Sequence, residues 1–379
     1  MTRRGDQPPP FGPPGRPPSW RGPLVELERW EWRDGDAADP ASGLAAFLAE
    51  HDLAGPAAGQ RGSTGVVLLA GALGCARLAG LPAGAPSPVR AVPEVVAVAV
   101  RPGGTVPEPG DRPVVGPWRT SWSDAEHAAA VDAVREVIAA GGVYQANVVG
   151  HRSAAHRSRP VDVARAVAAL PGATYGGVLD GGQWAVGSAS PEQLVQVDGD
   201  RVTTVPVKGT LPVAPGSRQR LRDSAKDRAE HVMIVDLERN DLSRVARTGS
   251  VDVEELYALT QWSGLWHAGS RVAARLRDDV TVLELLAALV PGGSVTGAPK
   301  RAACALLAGL EPVGRGPSMG AFGFLWPGGL DLGLTIRTVG VDEDAVHLWA
   351  GGGITWDSDP AAEVAEAHAK AAPVVAALS

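Results

Sequence analysis

The chain has 379 residues, enough for one large domain or two ordinary ones, and its 45% hydrophobic and 20% charged residues are typical of a globular protein. Its net charge of -7 argues against a nucleic-acid partner, but a few local cations would still suffice to bind a small anion. Cys75 and Cys304 are the only cysteines of the sequence, too few for a disulfide framework or a zinc site. We therefore expect a reducing compartment, with the cytoplasm as the default location.

The N-terminal part of the sequence contains few regular elements. Residues 1–23 are rich in Pro, Gly and Arg, which predicts a disordered tail. We expect neither a signal peptide nor a membrane helix, because no long apolar run is found. We expect residues 24–117 to form an N-terminal region that belongs to the same α/β body. The Gly- and Pro-rich stretch 101–117 predicts the boundary to a catalytic region over 118–379.

From residue 118 onward the predicted elements are clearer. Ser123 predicts the N-cap of a helix that ends at Gly141-Gly142, and 143–149 predicts a strand. Further helices are predicted over 161–170, 223–237 and 280–290, and from Pro299 and Pro360 onward. Hairpins are predicted over 174–188 and 193–207, and strands over 320–326 and 331–338. Hairpins mixed with helices predict an α+β fold with large mixed or antiparallel sheets packed as a sandwich and helices outside.

Lys208 lies in the short apolar stretch Thr204–Thr210 and is the first candidate for chemistry. Desolvation there would disfavour the charged amine and make it a nucleophile or a base, whereas the alternative is a lysine whose head reaches water. Glu192 lies at the other end of a predicted hairpin, so antiparallel strands would place an acid beside this amine. An exposed carboxylate in a turn is the alternative for Glu192.

The glycine-rich segment Gly292–Lys300 precedes a predicted helix. Glycines allow close approach of the backbone, and free N–H groups at a helix start attract anions. The spacing does not match a Walker P-loop, and an ordinary turn with a proline at the helix start is the alternative. The length of the segment favours binding of a carboxylate or phosphate.

Two pairs of carboxylates, Glu363 with Glu366 and Asp227 with Glu230, have the i, i+3 spacing that places both members on one helix face. Such pairs from two helices would hold Mg²⁺, although each pair is also typical of a solvated helix face. His267, which lies among tryptophans, is more simply a packed core residue.

Together these segments resemble the chorismate-utilising enzymes, the family that includes the large subunits of anthranilate synthase and aminodeoxychorismate synthase and the isochorismate and salicylate synthases. The similarity extends over residues 118–379, whereas residues 24–117 are divergent. The matching segments, in the order of the family, are Tyr144–Asn147, Ser190–Glu192, Pro206–Thr210, Lys226–Val245, Gly293–Lys300, Ile336–Thr338 and Gly351–Lys370.

The resemblance implies the chorismate-binding fold and a role for each matching residue. Glu192 would be the acid that helps the C4 hydroxyl of chorismate to leave, and His267 would lie near the reacting ring as a further catalytic residue. Mg²⁺ would be surrounded by Glu230, Glu363 and Glu366, with Asp227 as a second acid on the metal side. The substrate-binding residues would be Gly293, Ser294, Thr296, Gly297, Lys300, Arg337, Thr210, Gly352 and Gly353.

Two positions separate the branches of the family. Water-adding relatives carry a lysine where this chain has Gln145, and anthranilate synthases resemble Pro-Ile-Ala-Gly-Thr where this chain has Pro-Val-Lys-Gly-Thr. The lysine form resembles aminodeoxychorismate synthase component I. Lys208 would then attack C2, and ammonia from a separate glutaminase subunit would enter at C4.

The product of that reaction would be 4-amino-4-deoxychorismate, a precursor of p-aminobenzoate and folate. The alternatives are an anthranilate synthase component I, a 2-amino-2-deoxyisochorismate synthase, and a non-catalytic chorismate-binding paralogue. Neither a nucleic acid nor a membrane is expected as a partner.

Overall fold

The structure is a computed structural model that describes residues 23–56, 64–105, 110–262 and 265–379. Except for residue 23, the tail predicted over 1–23 lies outside the described residues, as does part of the predicted boundary over 101–117. Within the described ranges, no helix combines the length and the apolar character needed to cross a bilayer.

The described residues form helices and strands that alternate along the chain. The strands are β1 (Leu24–Trp32), β2 (Gly65–Ala70), β3 (Val95–Pro102), β4 (Arg119–Thr120), β5 (Gln145–Ala155), β6 (Gly177–Asp180), β7 (Ala185–Ser188), β8 (Gln193–Asp198), β9 (Arg201–Thr204), β10 (Val207–Pro212), β11 (Asp252–Trp262), β12 (Leu265–Arg275), β13 (Gly297–Ala298), β14 (Ala321–Trp326), β15 (Gly329–Leu334), β16 (Thr338–Val341) and β17 (Ala345–Ile354). The helices are α1 (Pro40–Glu50), α2 (Ala72–Leu78), α3 (Asp124–Ala139), α4 (Pro160–Ala168), α5 (Ser217–Asp223), α6 (Ala225–Ser243), α7 (Val282–Leu289), α8 (Lys300–Leu310) and α9 (Pro360–Ala377).

The strands form two sheets, and every strand pair within the described residues is antiparallel. The large sheet has ten strands in the order β1-β3-β2-β14-β15-β8-β9-β12-β10, with β11 paired to β12. The small sheet has seven strands in the order β13-β5-β17-β16-β7-β6, with β4 paired to β5. The predicted α+β fold with large antiparallel sheets is confirmed.

The core lies mainly between the two sheets. One hydrophobic cluster contains Val195 and Leu332 of the large sheet together with Val149 and Trp349 of the small sheet. A second cluster packs α4 and α9 against the small sheet, and a third packs α3 and α8 against β5. Burial of these apolar side chains is the main contribution that holds the sheets and helices together.

Residues 24–102 supply strands to the same large sheet as the rest of the chain. β2 pairs with β14 over Val66–Ala70, and β3 and β1 continue the sheet beyond β2. The edge strand β1 carries Glu26, Glu28 and Arg29, and charged side chains of this kind disfavour pairing with another chain.

Helix α3 begins where the sequence indicates. The Ser123 side chain accepts a hydrogen bond from the Glu126 N–H, and the Glu126 carboxylate accepts one from the Ser123 N–H at 2.6 Å. This reciprocal capping satisfies two N–H groups that the helix leaves without partners. Val131 and Val134 are fully buried on the inner face, and Gly141 follows the helix with φ of 77°.

Two stretches differ from the sequence-based expectation. The pair β11 and β12 was not predicted, because its strandlike conformation depends on pairing with β9 and β10 rather than on a local pattern. The glycine-rich segment does not lead directly into a helix: Gly293–Val295 form a turn of 3₁₀ helix, β13 pairs with β5, and α8 begins at Lys300.

Candidate active site

A cavity of about 610 Å³ opens between the two sheets, large enough for a small organic substrate. The described residues that line it lie between Asn147 and Lys370, and they come from both sheets and from helices α6 and α9. The walls combine apolar groups such as Trp349 with acids and cations, so the cavity suits an anionic ligand that also has an apolar part.

Most of the site residues predicted from the sequence line this cavity. They are Glu192, Lys208, Thr210, Asp227, Glu230, His267, Ser294, Arg337, Gly353, Glu363 and Glu366. The predicted residues that do not line it are Gly293, Thr296, Gly297, Lys300 and Gly352.

Lys208 reaches the cavity from β10, at the edge of the large sheet. Strand β10 pairs with β12 and not with the hairpin that follows Glu192, so the predicted route by which the two residues meet was wrong. The two side chains nevertheless face the same cavity. A Cβ atom built on Gly353 would lie 3.5 Å from Lys208 Nζ, which places the amine next to the last residues of β17.

The Lys208 amine and the Glu192 carboxyl both shift toward their neutral forms. Burial lowers the pKa of Lys208, although the neighbouring Glu192 and Glu230 carboxylates oppose the shift. Burial also raises the pKa of Glu192, against the opposing effect of Lys208. The Ser294 hydroxyl donates a hydrogen bond of 2.9 Å to Glu192 Oε1 and fixes one of its oxygens. An amine and a carboxyl group that both shift toward their neutral forms in one cavity are suited to nucleophilic attack and to protonation of a leaving group.

The acids predicted to hold a metal face the cavity from two helices. Asp227 and Glu230 lie on α6, and Glu363 and Glu366 lie on α9. A Cβ atom on Gly352 would lie 2.8 Å from Glu363 Oε2 and 3.6 Å from Glu366 Oε1, so these two carboxylates converge on one point beside β17.

These acids do not form a complete metal site by themselves. Within the described residues, no group of three or more His, Cys, Asp and Glu side chains converges closely enough to hold an ion. Mg²⁺ prefers one or two carboxylates completed by waters and by oxygens of a ligand, and the Glu363 and Glu366 pair fits that preference. Glu363 is 6% exposed and accepts a hydrogen bond of 2.7 Å from Ser358, which orients its carboxylate.

His267 and Thr210 lie opposite each other on β12 and β10. Thr210 Oγ1 and His267 Nδ1 are 3.2 Å apart, and both residues line the cavity. The simpler interpretation of His267 as a packed core residue therefore does not describe its position.

Arg337 supplies a cation to the cavity wall from the segment before β16. Burial lowers its pKa, and its backbone has φ of 48°, a left-handed conformation that costs free energy in a residue other than glycine. Such strain is common at binding sites, and a planar guanidinium is suited to binding a carboxylate.

Lys300 does not occupy the position expected of a substrate-binding cation. Its Nζ lies 2.7 Å from Asp241 Oδ2 and donates a hydrogen bond to the Leu289 carbonyl oxygen at 3.1 Å. Both side chains of this ion pair are nearly buried, so Lys300 joins α8 to the end of α6 behind the cavity. The position of Lys300 therefore does not support the prediction that it binds substrate.

The glycines of the glycine-rich turn allow close packing rather than contact with a ligand. A Cβ atom on Gly293 would overlap Leu237 of α6, and one on Gly297, whose φ is 147°, would overlap the Gln145 carbonyl oxygen of β5. The turn is thereby held against both elements, with Ser294 and Val295 presented to the cavity.

Sequence reasoning assigned no role to two residues that organise the site. The Lys370 ammonium lies 2.7 Å from Glu366 Oε1 and donates a hydrogen bond to the Gly351 carbonyl oxygen at 2.9 Å. The i, i+4 spacing from Glu366 was the available signal for Lys370.

Arg315 is the second such residue. It donates hydrogen bonds to the carbonyl oxygens of Val295 at 2.7 Å and Asn147 at 2.6 Å, and both of these residues line the cavity. Its guanidinium also forms a bidentate ion pair with Glu311. The i, i+4 spacing from Glu311 indicates the ion pair, but no local pattern indicates the two backbone contacts of Arg315, because Val295 and Asn147 are distant in sequence.

The sequence matches a family of known proteins over most of its length. Residues 86–376 match the family described as chorismate binding enzyme. The chain is 39% identical over 279 residues to anthranilate synthase component 1 of Streptomyces coelicolor, an alignment that covers 71% of this chain and 54% of that protein. It is 36% identical over 260 residues to aminodeoxychorismate synthase component 1 of Klebsiella aerogenes, with 67% and 58% covered.

Solved structures have the same fold. Anthranilate synthase component I from Streptococcus pneumoniae superposes with a TM-score of 0.77 at 23% identity, covering 93% of this chain and 92% of that one. The chain therefore belongs to the chorismate binding enzymes. It spans about half the length of the curated relatives that it matches.

Proposed function

We propose that this protein is the chorismate-converting component of an aminodeoxychorismate synthase. The observation that carries the proposal is the position of Lys208, a largely buried amine in the same cavity as Glu192 and the acid pairs of α6 and α9. A chain in which alanine occupied this position would present no nucleophile there.

The reaction proceeds in two displacements at the substrate ring. The neutral Lys208 amine forms a bond to C2, the two ring double bonds shift, and the C4–O bond breaks as Glu192 gives its proton to the departing hydroxyl, which leaves as water. Ammonia then forms a bond to C4, the double bonds shift back, and the C2–N bond to Lys208 breaks. A proton from the incoming ammonia returns to the carboxylate–amine pair, so the enzyme is regenerated.

The remaining charges of the cavity hold the substrate. Glu363 and Glu366, assisted by Glu230 and Asp227, would bind Mg²⁺, which supplies positive charge for a substrate carboxylate. Arg337 would bind a second carboxylate, and Thr210 with His267 would contact the ring. Because the described lining residues lie between 147 and 370, we infer that 118–379 is the catalytic region and that 24–117 supports it within the same body.

Anthranilate synthesis is a second candidate. It is supported by the similarity to anthranilate synthase component 1 proteins from several organisms. For either reaction we propose that a separate glutaminase subunit supplies ammonia, since both named groups of relatives are called component 1.

Identification of the product separates the two candidates. Purified protein is incubated with chorismate, MgCl₂ and an ammonium salt near pH 8, and the products are separated by chromatography and identified by mass. We expect 4-amino-4-deoxychorismate. Anthranilate as the main product would assign the second function, and chorismate binding without turnover, even with a glutaminase subunit added, would indicate a non-catalytic paralogue.

A further inference from the structure

His231 lies on α6 with its ring fully buried against the back of the β10 and β12 strands. Its Nε2 is 2.8 Å from the Lys208 carbonyl oxygen and 3.0 Å from the Ala268 carbonyl oxygen. Its Nδ1 is 2.9 Å from Ser270 Oγ. One ring therefore contacts the backbone of both strands at the residue that carries the reactive amine.

The hydrogen-bonding partners fix which ring nitrogen of His231 carries the proton. Carbonyl oxygens only accept, so Nε2 carries the hydrogen and donates it to Lys208 and Ala268. Nδ1 is then an acceptor for the Ser270 hydroxyl, and Ser270 Oγ itself accepts from the Tyr257 N–H at 3.0 Å.

The contact occurs where the pairing of β10 with β12 is irregular. The regular pairing of β10 with β12 is interrupted between Val207 and Thr210, and Gly209 has φ of 82°. The Lys208 peptide lies inside this interruption. The bifurcated hydrogen bond from His231 joins the two strands across it.

We propose that His231 is a positioning residue that fixes the backbone of Lys208, and so directs its amine toward Gly353 and the substrate ring. The inference rests on the proposed role of Lys208 as the nucleophile. Reactivity is sensitive to position, since a displacement of about 1 Å at a reacting group costs up to about a hundredfold in rate. A group that only stabilised the fold would not act selectively on turnover.

Two substitutions at position 231 separate positioning from packing. His231→Leu keeps a side chain of similar bulk but removes the donor, whereas His231→Gln retains an N–H at similar reach. With chorismate, Mg²⁺ and ammonium, we expect kcat of His231→Leu to fall about thirtyfold while KM for chorismate changes less than about threefold. We expect His231→Gln to recover kcat to within about fivefold of the unsubstituted protein.

His156 provides a matched control on the small sheet. It is 7% exposed, its Nε2 lies 2.8 Å from the Asp342 carbonyl oxygen, and its Nδ1 accepts from the Ser158 N–H at 3.3 Å. His156→Leu therefore removes the same kind of hydrogen bond far from the cavity, and we expect kcat to stay within about twofold even if the melting temperature falls.

Ser270→Ala keeps the proposal testable if His231→Leu does not fold. It removes the donor to Nδ1, and we expect an intermediate loss in kcat of about fivefold. The proposal is overturned if folded His231→Leu retains normal kcat, if His231→Gln is as impaired as His231→Leu, or if His156→Leu loses as much turnover. Lys208→Ala in the same assay tests the proposed function separately from the positioning role. If Lys208→Ala is inactive and His231→Leu is active, only the positioning role of His231 is contradicted. If Lys208→Ala is active, both the nucleophile role of Lys208 and the positioning role of His231 are overturned.

Discussion

Gly352 and Gly353 lie near the end of β17, and their lack of a side chain leaves space for the neighbouring side chains of the site. A Cβ atom on Gly353 would overlap the Gln145 side chain and approach Lys208, and one on Gly352 would press on the Glu363 carboxylate. Gln145 is 1% exposed and has little room to move. The site therefore depends on glycine at positions 352 and 353 as well as on the charged side chains that these glycines allow to approach.

The substitution Gly352→Ala should weaken metal binding. The added methyl would lie 2.8 Å from Glu363 Oε2, so the carboxylate must move from the position in which Ser358 holds its other oxygen. We expect the half-saturating Mg²⁺ concentration to rise about tenfold, as is usual when groups that orient metal ligands are disturbed. This concentration is measured by titrating Mg²⁺ and recording both the heat of binding and the rate of turnover.

Gly309→Ala is the control for that change. Gly309 lies in α8 with open space around its Cβ position, so alanine should be neutral or slightly stabilising and leave the Mg²⁺ dependence unchanged. An unaltered Mg²⁺ requirement in Gly352→Ala would show that Glu363 does not hold the metal.

Glu238 gives a prediction for the pH dependence of stability. This residue of α6 is 5% exposed, and burial, together with the nearby Asp241, raises its pKa to about 7. A carboxyl whose pKa is raised in the folded state contributes stability below its unfolded pKa and loses it as pH rises through 7. Relative to Glu238→Gln, the unsubstituted protein should lose about 2 kcal/mol of unfolding free energy between about pH 5.5 and pH 8.5.

Denaturant unfolding at the two pH values measures this difference. Thr204 donates a hydrogen bond to Glu238 at 3.1 Å that an amide oxygen can still accept, so the variant should fold normally. Equal pH dependence in both proteins would mean that the Glu238 carboxyl is ionised in the fold throughout this range.

At the scale of elements, the cavity depends on contacts between segments that are distant in sequence. Arg315 links the turn before β13 to β5 through two carbonyl oxygens and is itself held by Glu311 in α8's C-cap position. The planar guanidinium contacts both carbonyl oxygens and the Glu311 carboxylate simultaneously, and an ammonium group cannot reach all of them. The turn that presents Ser294 and Val295 is thus anchored by one side chain.

Arg315→Lys should loosen this turn. We expect a loss of about 2 kcal/mol in unfolding free energy, because buried carbonyl groups lose their donors, and a several-fold rise in KM for chorismate. Thermal unfolding and steady-state kinetics measure both effects. Arg77→Lys is the matched control, since the Arg77–Asp34 pair is exposed at 49% and 40% and should change stability by less than about 0.5 kcal/mol. A stability of Arg315→Lys equal to that of Arg77→Lys would contradict the anchoring role.

The elements that sequence predicted well are those with local signals. Helix α3 was predicted from Ser123 at its start and from the glycines after Ala140 at its end, all within one short segment. Strands β11 and β12 carry no such signal, because only their neighbours in the sheet make them strands. The acids of α6 and α9 were predicted from their spacing. The strand pairing expected to bring Lys208 to Glu192 was wrong, and Lys300 lies in an ion pair with Asp241 outside the cavity lining. Spacing defines a helix face, but it does not specify which distant element covers that face.

At the scale of the whole molecule, two antiparallel sheets with a shared core border the cavity that Lys208 and Glu192 line. The chain carries a net charge of -7, yet three basic residues, Lys208, Arg337 and Lys370, line the cavity among its acids. Local fields of this kind decide what a cavity binds, and the overall charge does not. The central claim that follows is that one of these basic groups, the Lys208 amine in its neutral form, becomes covalently attached to the substrate during turnover.

Turnover by Lys208→Ala tests this claim most directly. Chorismate, Mg²⁺ and ammonium are supplied in excess, product formation is followed by chromatography, and chorismate affinity is measured separately by calorimetry. The account predicts that product formation falls by about a thousandfold or more while chorismate affinity changes less than about fivefold, because the remaining charges still bind the substrate. Formation of 4-amino-4-deoxychorismate by Lys208→Ala at a rate within about tenfold of the unsubstituted protein would contradict it.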